Sequence, residues 1–306
     1  MAQKKRRRRK KKSHARPIWT TAIILLISLL AFLFGQNYLG GEEPQETTPP
    51  PVVSGDTVEF HFIDVGQGDA ALIRTAAGDV LIDASTNSAE DELKAYLDAL
   101  GVTTLEYAVF THPHEDHIGG ADMVINTYNV KRVLMPEKEH DSKTYDYMMD
   151  AIETRECDLI LSEPDYAFTV GEVTFTVLAP LGTSYTELND FSIVLRAEYG
   201  ATTVMFTGDA ETKSEEEILE RYSSIGKLDC DILKVGHHGS TTSTSDEFLA
   251  AVSPDHAVIS VGEGNSHGHP HAEILTKLEN RNISIWRTDL HGSIVFVSDG
   301  GEPQKR

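Results

Sequence analysis

Cysteine is scarce in this sequence of 306 residues: Cys157 and Cys230 are the two present, and they do not form a CxxC pair. This excludes a disulfide framework and a cysteine-rich metal site, so two free thiols are expected. A P-loop is missing as well, because the Gly-x-Gly turn in DVGQGDA (64–70) has no Walker lysine after it. No nucleotide cofactor is therefore expected.

Basic residues are few beyond the first 16 positions. Those positions hold ten Lys and Arg and no acid. The rest of the chain contains the other 17 of the 27 basic residues and all 48 acidic residues, which gives it a formal charge of −31. Proteins that bind DNA draw much of their affinity from Lys and Arg that neutralise phosphates. The acidic region therefore disfavours a long groove for duplex DNA.

Charge is also missing from residues 18–34, IWTTAIILLISLLAFLF. At 1.5 Å per residue, a helix of this length spans roughly 25 Å, which is close to the minimum for crossing a bilayer. A cleaved signal peptide is the alternative, but no small-x-small cleavage site follows between Phe34 and Gly41. The run predicts a transmembrane signal-anchor over residues 18–35.

The flanks of this run predict the orientation and the domain boundaries. Residues 1–17 predict a basic cytoplasmic tail, because Lys and Arg remain on the cytoplasmic side of a membrane. Residues 36–56 are rich in Pro, Gly, Thr and Glu, which is typical of a disordered linker. We therefore expect a single-pass protein of the cell membrane whose domain, residues 57–300, is extracellular.

Residues 57–300 alternate between two kinds of pattern. Short apolar or alternating segments such as TVEFHFIDV and LEYAVFT predict strands. SAEDELKAYLDALG and KTYDYMMDAIETRE have the spacing of amphipathic helices, and the tyrosines and methionines of the second are expected in the core. The acidic run Ser214–Glu220 is expected to be a solvated helix face. Two strand-rich halves with accompanying helices predict an α/β fold of two packed sheets with helices outside.

Histidines are concentrated in three short clusters, each in a loop that leaves a predicted strand. Eight of the 13 histidines belong to these clusters: His112, His114 and His117; His237 and His238; His267, His269 and His271. Loops at strand ends are where α/β folds place binding and catalytic residues. The clusters therefore predict a functional site rather than scattered solvated side chains.

The first cluster, THPHEDHIGG (111–120), has the residue types of a metal site. His112 and His114 are two apart, so in an extended segment they project to the same side. Asp116 and His117 follow in a turn that aims them at a second, nearby point. Imidazole with carboxylate suits Zn²⁺, Mn²⁺ or Fe²⁺. Further ligands are expected from other strand ends: Asp209 in FTGDA, and His237 or His238 in KVGHHGS.

Five motifs together resemble a known family. HPHEDH is similar to the HxHxDH signature of the metallo-β-lactamase superfamily. DVGQGDA (64–70), FTGDA (206–210), LKVGHHGS (233–240) and GHPH (268–271) resemble the hydrolase domain of ComEC-like competence proteins and its free-standing relatives. The resemblance covers residues from about 57 to 300. It implies a metallo-β-lactamase αββα sandwich with a mono- or dinuclear metal centre at one edge.

The resemblance also implies roles for the ligands. His112 and His114 would bind one metal ion, Asp116 and His117 the other, and Asp209 would bridge them. The second ion would gain a ligand from the histidine pair, for which His237 is preferred and His238 is the alternative. One or two divalent ions are expected, with Zn²⁺ preferred and Mn²⁺ second.

One superfamily histidine has no counterpart in this chain. Many members place a further His ligand between HxHxDH and the bridging Asp, yet no histidine lies between His140 and His237 here. Its place resembles the NDFS stretch, residues 189–192, of ComEC-like proteins. Weaker ligation of the first ion is therefore expected, with Asn189 or Asp190 nearby.

Residues of two other motifs are expected beside the metal ligands or the substrate. In DVGQGDA these are Asp64, Gln67 and Asp69, and carboxylates in such positions commonly orient metal-bound histidines. In GHPH and its flank, His267 or His269 would donate a proton or contact a phosphate. A solvated loop that caps the helix starting near His271 is the alternative for this segment.

The implied function is metal-dependent hydrolysis, because divalent ions lower the pKa of a bound water toward neutrality and supply hydroxide without a side-chain base. Asp116 would orient the nucleophile, and His269 would serve the leaving group. The resemblance points to phosphodiesters, and the charge favours single-stranded DNA or an envelope polymer over duplex DNA. Hydrolysis of another ester or a lactone is one alternative. A degenerate-site binding or scaffold protein is the other, and the oligomeric state is left open.

Overall fold

The computed structural model describes residues 57–306, which contain two β-sheets packed face to face. The predicted cytoplasmic tail, signal-anchor and linker lie outside the described residues. None of the helices within residues 57–306 combines the length and the apolar character that a membrane crossing requires.

The first sheet has the strand order β16-β15-β1-β2-β3-β4-β6-β7, with β5 paired to β4. Within residues 57–306 it has nine strands: β1 (Val58–Phe62), β2 (Ala71–Thr75), β3 (Gly78–Ile82), β4 (Thr104–Val109), β5 (Asn129–Val130), β6 (Arg132–Met135), β7 (Asp158–Leu161), β15 (Ile294–Ser298) and β16 (Gln304–Lys305). Its strands β3, β4, β6 and β7 run parallel to one another, whereas β1, β2 and β15 pair antiparallel.

The second sheet has the strand order β14-β13-β12-β11-β10-β9-β8. In the described part of the chain its seven strands are β8 (Ala167–Val170), β9 (Val173–Ala179), β10 (Val194–Tyr199), β11 (Thr202–Phe206), β12 (Ile232–Lys234), β13 (His256–Ile259) and β14 (Ser284–Arg287). Strands β11 to β14 are parallel, so their carboxyl ends meet at one edge of the sheet.

Helices connect the parallel strands and cover the outer faces of both sheets. The eight α-helices of residues 57–306 are α1 (Glu90–Ala99), α2 (Glu115–Ile118), α3 (Ala121–Thr127), α4 (Lys143–Thr154), α5 (Thr212–Tyr222), α6 (Asp246–Val252), α7 (Ala272–Asn280) and α8 (Thr288–His291). Short 3₁₀ helices occur at Asn87–Ala89, Leu188–Phe191, Ser223–Ile225 and Gly236–Gly239.

Alternation along the strands divides the apolar side chains among three layers. In β2, Ile73 points into the core between the sheets, whereas Leu72 points toward the helices. In β11, Val204 and Phe206 join the core between the sheets, and Met205 packs under the helices of the second half. The predicted arrangement of two packed sheets with outer helices is therefore confirmed.

The structure adds elements at the sheet edges that the sequence patterns did not indicate. Strands β7 and β8 are short edge strands with several exposed side chains, so they lack a continuous apolar pattern. Strand β16 lies beyond the predicted domain end at residue 300. Both cysteines are free, and Cys230 is buried.

The acidic run Ser214–Glu220 is not uniformly a solvated helix face, so that expectation was wrong. Ser214 and Glu215 are buried, and the Glu215 carboxylate accepts hydrogen bonds from the backbone N–H groups of Thr244 and Ser245, at 2.5 and 2.8 Å. Ser245 in turn caps α6. Glu215 therefore ties α5 to the start of α6.

We predict that Glu215→Ala destabilises the protein by about 2–4 kcal/mol, because two buried N–H donors lose a charged acceptor. The measurement is the urea midpoint of unfolding at neutral pH. Glu216→Ala, the exposed neighbour on the same helix, is the matched control and should change stability by no more than about 0.5 kcal/mol. Equal effects of the two substitutions would contradict this role.

Candidate metal centre

The candidate ligands lie in loops at the carboxyl ends of strands from both sheets. His112, His114, Asp116 and His117 follow β4, Asp209 follows β11, and His237 and His238 follow β12. The segment with His269 follows β13. Since these strand ends meet where the two sheets pack together, the loops converge on one edge of the sandwich.

Four side chains form the centre of the site. The candidate ligand atoms of Asp116, His117, Asp209 and His238 all lie within 4.8 Å of one another. The His238 Nε2 atom is 3.2 Å from Asp116 Oδ2 and 3.6 Å from Asp209 Oδ2, and His117 Nε2 is 3.3 Å from Asp209 Oδ1. His117, Asp209 and His238 are buried, whereas Asp116 is partly exposed to solvent.

Two atoms of this cluster that face each other are buried and make no hydrogen bond. Among the described residues, His117 Nε2 and Asp209 Oδ1 are buried side-chain atoms that make no hydrogen bond. Leaving a buried polar atom unsatisfied costs about 1–3 kcal/mol, and a divalent cation between them would coordinate both. Two imidazoles and two carboxylates suit Zn²⁺, Mn²⁺ or Fe²⁺. The donor set therefore fits a divalent metal ion.

The electrostatics of the cluster link metal binding to proton release. Burial raises the pKa of Asp209, but the neighbouring His117 and His238 outweigh it and hold that pKa well below its usual value. Burial lowers the pKa of His238, yet the Asp209 and Asp69 carboxylates raise it to about 10. Without a metal ion both imidazoles are therefore cations paired with carboxylates, and a metal ion would displace their protons.

His112 and His114 lie beside this cluster. His112 Nε2 is 3.0 Å from His114 Nδ1, and the His112 and His117 ring centroids are 4.2 Å apart. Burial, with the charge of His117 adding to it, holds the pKa of His112 well below its usual value. His112 is therefore a neutral imidazole whose lone pair is available to a metal ion.

Ser192 occupies the neighbourhood of the missing superfamily histidine. Its Oγ lies 3.3 Å from His112 Nδ1 and accepts a hydrogen bond of 3.1 Å from the backbone N–H of Asp209. The NDFS stretch was expected at this place, with Asn189 or Asp190 near the first ion, and the residue of that stretch that contacts His112 is its serine.

Asn189 and Asp190 have other contacts. The Asn189 amide donates to Glu211 Oε1 at 3.0 Å and lies 3.4 Å from His237 Nδ1. Asp190 Oδ1 accepts the backbone N–H groups of Glu211 and Ser214 at 3.2 Å each, at the start of α5. The Asp190 carboxylate therefore faces the helix start and not the site expected for the first metal ion.

The two histidines of the pair, of which His237 was the preferred ligand and His238 the alternative, have different surroundings. His237 is partly exposed, its Nδ1 lies 3.2 Å from Glu211 Oε1, and its Nε2 lies 3.7 Å from Asp209 Oδ2. The buried His238 belongs to the four-residue cluster instead. Both residues have positive φ, 47° and 52°, which is costly for residues other than glycine and is typical of functional sites. This backbone directs the two consecutive rings to different partners.

Asp69 lies next to His238, as the sequence analysis expected for a carboxylate of DVGQGDA. Its Oδ1 is 3.4 Å from His238 Nδ1, and its Oδ2 forms a buried 2.7 Å ion pair with Lys234. The Asp69 backbone N–H donates to Asp116 O at 3.0 Å. A side chain at Gly68 would clash, because its Cβ would lie 2.7 Å from the backbone oxygen of Asp116.

Gln67 and Asp64 support turns in the structure. Gln67 Oε1 accepts the N–H of Gly262 at 3.2 Å, which links DVGQGDA to the segment before GHPH. Asp64 is exposed, and its Oδ1 accepts the N–H of Gly66.

Sequence analysis missed two buried charged residues at this site. Asp83, directly after β3, lies 2.7 Å from His117 Nδ1 and also accepts from the Thr111 N–H and hydroxyl. Lys234, the last residue of β12, is the partner of Asp69. The sequence signal for each was a charged residue at the end of an apolar strand: Asp83 ends VLID, and Lys234 ends DILK.

The GHPH segment lies over the histidine pair. The His269 ring centroid is 5.5 Å from that of His237 and 6.4 Å from that of His238. Asn265 shapes this loop, since its Oδ1 accepts the N–H groups of His267 and His269. His267 is exposed. Burial, together with the charges of His237 and His238, lowers the pKa of His269 to about 4.

Comparison with known proteins identifies relatives of the whole domain. The family model of the metallo-beta-lactamase superfamily matches residues 63–263. ComE operon protein 3 of Bacillus subtilis (strain 168) is 31% identical over 258 residues, 78% of this chain and 33% of the relative. Competence protein ComA of Neisseria gonorrhoeae is 33% identical over 259 residues, 84% of this chain and 35% of the relative. The chain spans about a third of the length of these curated relatives.

Solved structures share the fold. The metallo-beta-lactamase fold protein YhfI from Bacillus subtilis aligns with a TM-score of 0.53 at 13% identity, over 79% of this chain and 100% of that protein. CmlA, a diiron beta-hydroxylase from Streptomyces venezuelae, aligns with a TM-score of 0.53 at 14% identity, over 78% of this chain and 53% of that protein. Identities this low extend the likeness to the fold alone.

The family match, the αββα layers and the His/Asp cluster agree with the resemblance stated from the motifs. The chain belongs to the metallo-beta-lactamase superfamily, and its domain is ComEC-like.

Proposed function

We propose that this protein is a membrane-anchored, extracytoplasmic phosphodiesterase that requires a divalent metal ion, Zn²⁺ in the first place and Mn²⁺ in the second. The observation that carries the proposal is the cluster of two imidazoles and two carboxylates, in which His117 Nε2 and Asp209 Oδ1 are buried 3.3 Å apart without a hydrogen bond. Asp116, His117, Asp209 and His238 would hold one ion. His112 and His114 would hold a second.

A bound ion would activate water and stabilise the charge that develops on the phosphoryl oxygens. The chain's own residues would orient the reaction. Asp83 fixes the tautomer of His117 by taking its Nδ1–H at 2.7 Å, so that Nε2 faces the centre. The Ser260 carbonyl does the same for His238 at 3.0 Å. Asp116, which is partly exposed, would orient the attacking water.

His269 would act at the leaving group. Its position over the histidine pair and its partial exposure place its ring at the mouth of the site. Because its pKa is lowered to about 4, the ring is neutral at neutral pH. It would therefore donate an N–H hydrogen bond to the leaving oxygen, and water would supply the proton.

The charge of the chain favours a substrate with few phosphates near the site. The formal charge of −31 beyond residue 16 repels long polyanions. Single-stranded DNA or a phosphodiester of an envelope polymer fits this balance better than duplex DNA. Two relatives bear the names of competence proteins, which supports DNA, but the chain matches about a third of each.

A second function class is favoured by one specific observation. His112 and His114 contact each other, and His112 also contacts Ser192, where many superfamily members have a further histidine. If this incomplete set holds no ion, hydrolysis of a less demanding ester or lactone, or metal-dependent binding without turnover, is the alternative.

Residues 18–35 would anchor the protein. The support is a run of 17 uncharged, largely apolar residues directly after a basic segment. The linker, residues 36–56, would hold the domain outside the cell.

The first prediction concerns metal binding. Zn²⁺ added to chelator-treated protein at 100 times its dissociation constant should raise the unfolding free energy by about 2.7 kcal/mol, and binding should be tighter at pH 8 than at pH 6 because protons are released. Differential scanning fluorimetry and titration calorimetry measure both. Asp209→Asn should abolish the shift, and the exposed control Asp64→Asn should retain it; a shift that survives Asp209→Asn refutes the assigned centre.

The second prediction concerns activity on bis-p-nitrophenyl phosphate and on single-stranded and duplex DNA. Asp83→Asn should lower kcat/KM about 10–100-fold, because His117 loses the carboxylate that orients it. Asp209→Asn should reduce turnover to the background rate, and Asp64→Asn should resemble the wild type. Full metal occupancy with no turnover of any ester would refute the enzyme and leave the binding protein.

The third prediction concerns the anchor. Protease added to intact cells should remove the domain and leave the basic tail, because the tail lies on the cytoplasmic side. A tag at each end of the chain, followed by immunoblotting, measures this, and permeabilised cells are the control. Protection of the C-terminal tag in intact cells would show the reverse orientation.

A further inference from the structure

A groove of about 370 Å³ lies between β7, the start of α4 and the loop after β6. We call it the methionine groove, and its defining residues are Met135, Lys138, Tyr145, Met149, Leu159 and Leu161. Its volume is within the range of small-molecule pockets, about 300–1,000 Å³. The sequence analysis expected Tyr145 and Met149 in the core, but both are partly exposed and line this groove.

The loop that borders the methionine groove also reaches the metal centre. His140, in the same loop as Lys138, has its ring centroid 6.1 Å from that of His114. Asn87 connects the metal loop to α4, since its N–H donates to Glu115 Oε1 at 2.7 Å and its amide donates to Thr144 Oγ1 at 3.1 Å. The loop that borders the groove therefore also lies beside the side of the site where His114 is found.

The lining of the methionine groove is apolar and polarisable. Leu159 and Leu161 are 37% and 46% exposed on the edge strand β7, which is unusual for large aliphatic side chains. Thioether sulfur atoms such as that of Met149 make favourable contacts with aromatic rings. Glu137 and Glu139 are exposed at its rim, so the groove itself repels anions. Its chemistry favours a neutral, flat, apolar group.

The groove contains a cation, Lys138, whose side chain reaches toward Phe191. The Lys138 Nζ atom lies 4.8 Å from the centroid of the Phe191 ring. Phe191 directly precedes Ser192, whose hydroxyl contacts His112. Lys138 is therefore linked through Phe191 to the segment that contacts His112, and its charge is complementary to a phosphodiester.

We propose that the methionine groove binds a neutral aromatic substituent of the phosphodiester substrate, while Lys138 contacts the phosphate. The inference rests on the proposed phosphodiesterase function and deepens it, because it names the part of the substrate that sets specificity. A ring rather than a flexible chain is favoured, since Tyr145 and the methionines offer ring-stacking and sulfur contacts and a ring loses less conformational entropy on binding.

The test compares three monoesters as competitive inhibitors of bis-p-nitrophenyl phosphate hydrolysis by the full-length metal-loaded protein. Phenyl phosphate and hexyl phosphate have six carbons each, one as a ring and one as a chain, and methyl phosphate lacks both. The inhibition constant of phenyl phosphate should be at least about tenfold below that of methyl phosphate, as for a filled apolar subsite, and several-fold below that of hexyl phosphate.

Substitutions inside and outside the groove test whether the groove causes the preference for phenyl phosphate. Leu161→Ser should reduce the ratio of the methyl to the phenyl inhibition constant at least threefold. Ile225→Ser, which removes an exposed aliphatic side chain outside the groove, should retain the wild-type ratio. Lys138→Met should weaken all three inhibitors by a similar factor, and Lys138→Arg should restore them.

The outcomes separate the two proposals. Equal inhibition by the three esters, or a ratio unchanged in Leu161→Ser, overturns the groove assignment and leaves the phosphodiesterase intact. Tighter inhibition by hexyl phosphate assigns the groove to an alkyl chain and overturns the aromatic group. Absence of bis-p-nitrophenyl phosphate hydrolysis with both Zn²⁺ and Mn²⁺ refutes the phosphodiesterase, and the groove proposal fails with it.

Discussion

The need to compensate buried negative charge governs the architecture of this domain. Asp69, Asp83 and Asp209 are buried at the junction of the two sheets, and Asp116 is close by. A carboxylate removed from water is strongly disfavoured unless it is paired and hydrogen-bonded. Asp69 has Lys234, and Asp83 has His117 with two donors from Thr111. Asp209 Oδ1 faces His117 without a hydrogen bond, and a metal ion would complete its environment.

The ion pairs that compensate these buried charges depend on the packing of the two sheets. Asp69, Asp83 and His117 come from the first sheet's strand ends, whereas Asp209, Lys234 and His238 come from those of the second. Asp69 with Lys234 and His117 with Asp209 therefore pair across the two sheets, whereas Asp83 and His117 pair within the first. Breaking such a buried pair by removing one member costs about 3–5 kcal/mol. The residues that hold the site together consequently also hold the two halves of the fold in register.

Sequence patterns predicted the layers and most of the elements because apolar periodicity is a local signal. They also predicted which loops converge, since the histidines and Asp209 follow apolar strands. Lys234 and Asp83 were missed because each is a single charge at the end of an apolar run, and its partner is distant in sequence. The sequence could not show that His238 rather than His237 lies in the four-residue cluster. The directions of the two rings depend on left-handed backbone angles at both residues, which residue types do not specify. The buried role of Glu215 likewise depends on Thr244 and Ser245, about thirty positions away.

The acidic surface and a phosphodiester substrate are compatible if the substrate brings its phosphates to the site one at a time. At physiological ionic strength, interactions between exposed charges are largely screened beyond about 8 Å. A single phosphate at the metal centre would therefore experience mainly the bound ion and the charged side chains of the site itself. A duplex would instead place many phosphates against the surrounding acidic surface, without the Lys and Arg that usually neutralise them. The apolar side chains of the methionine groove would then add affinity by a route that carries no charge penalty, because an apolar group gains free energy from burial alone.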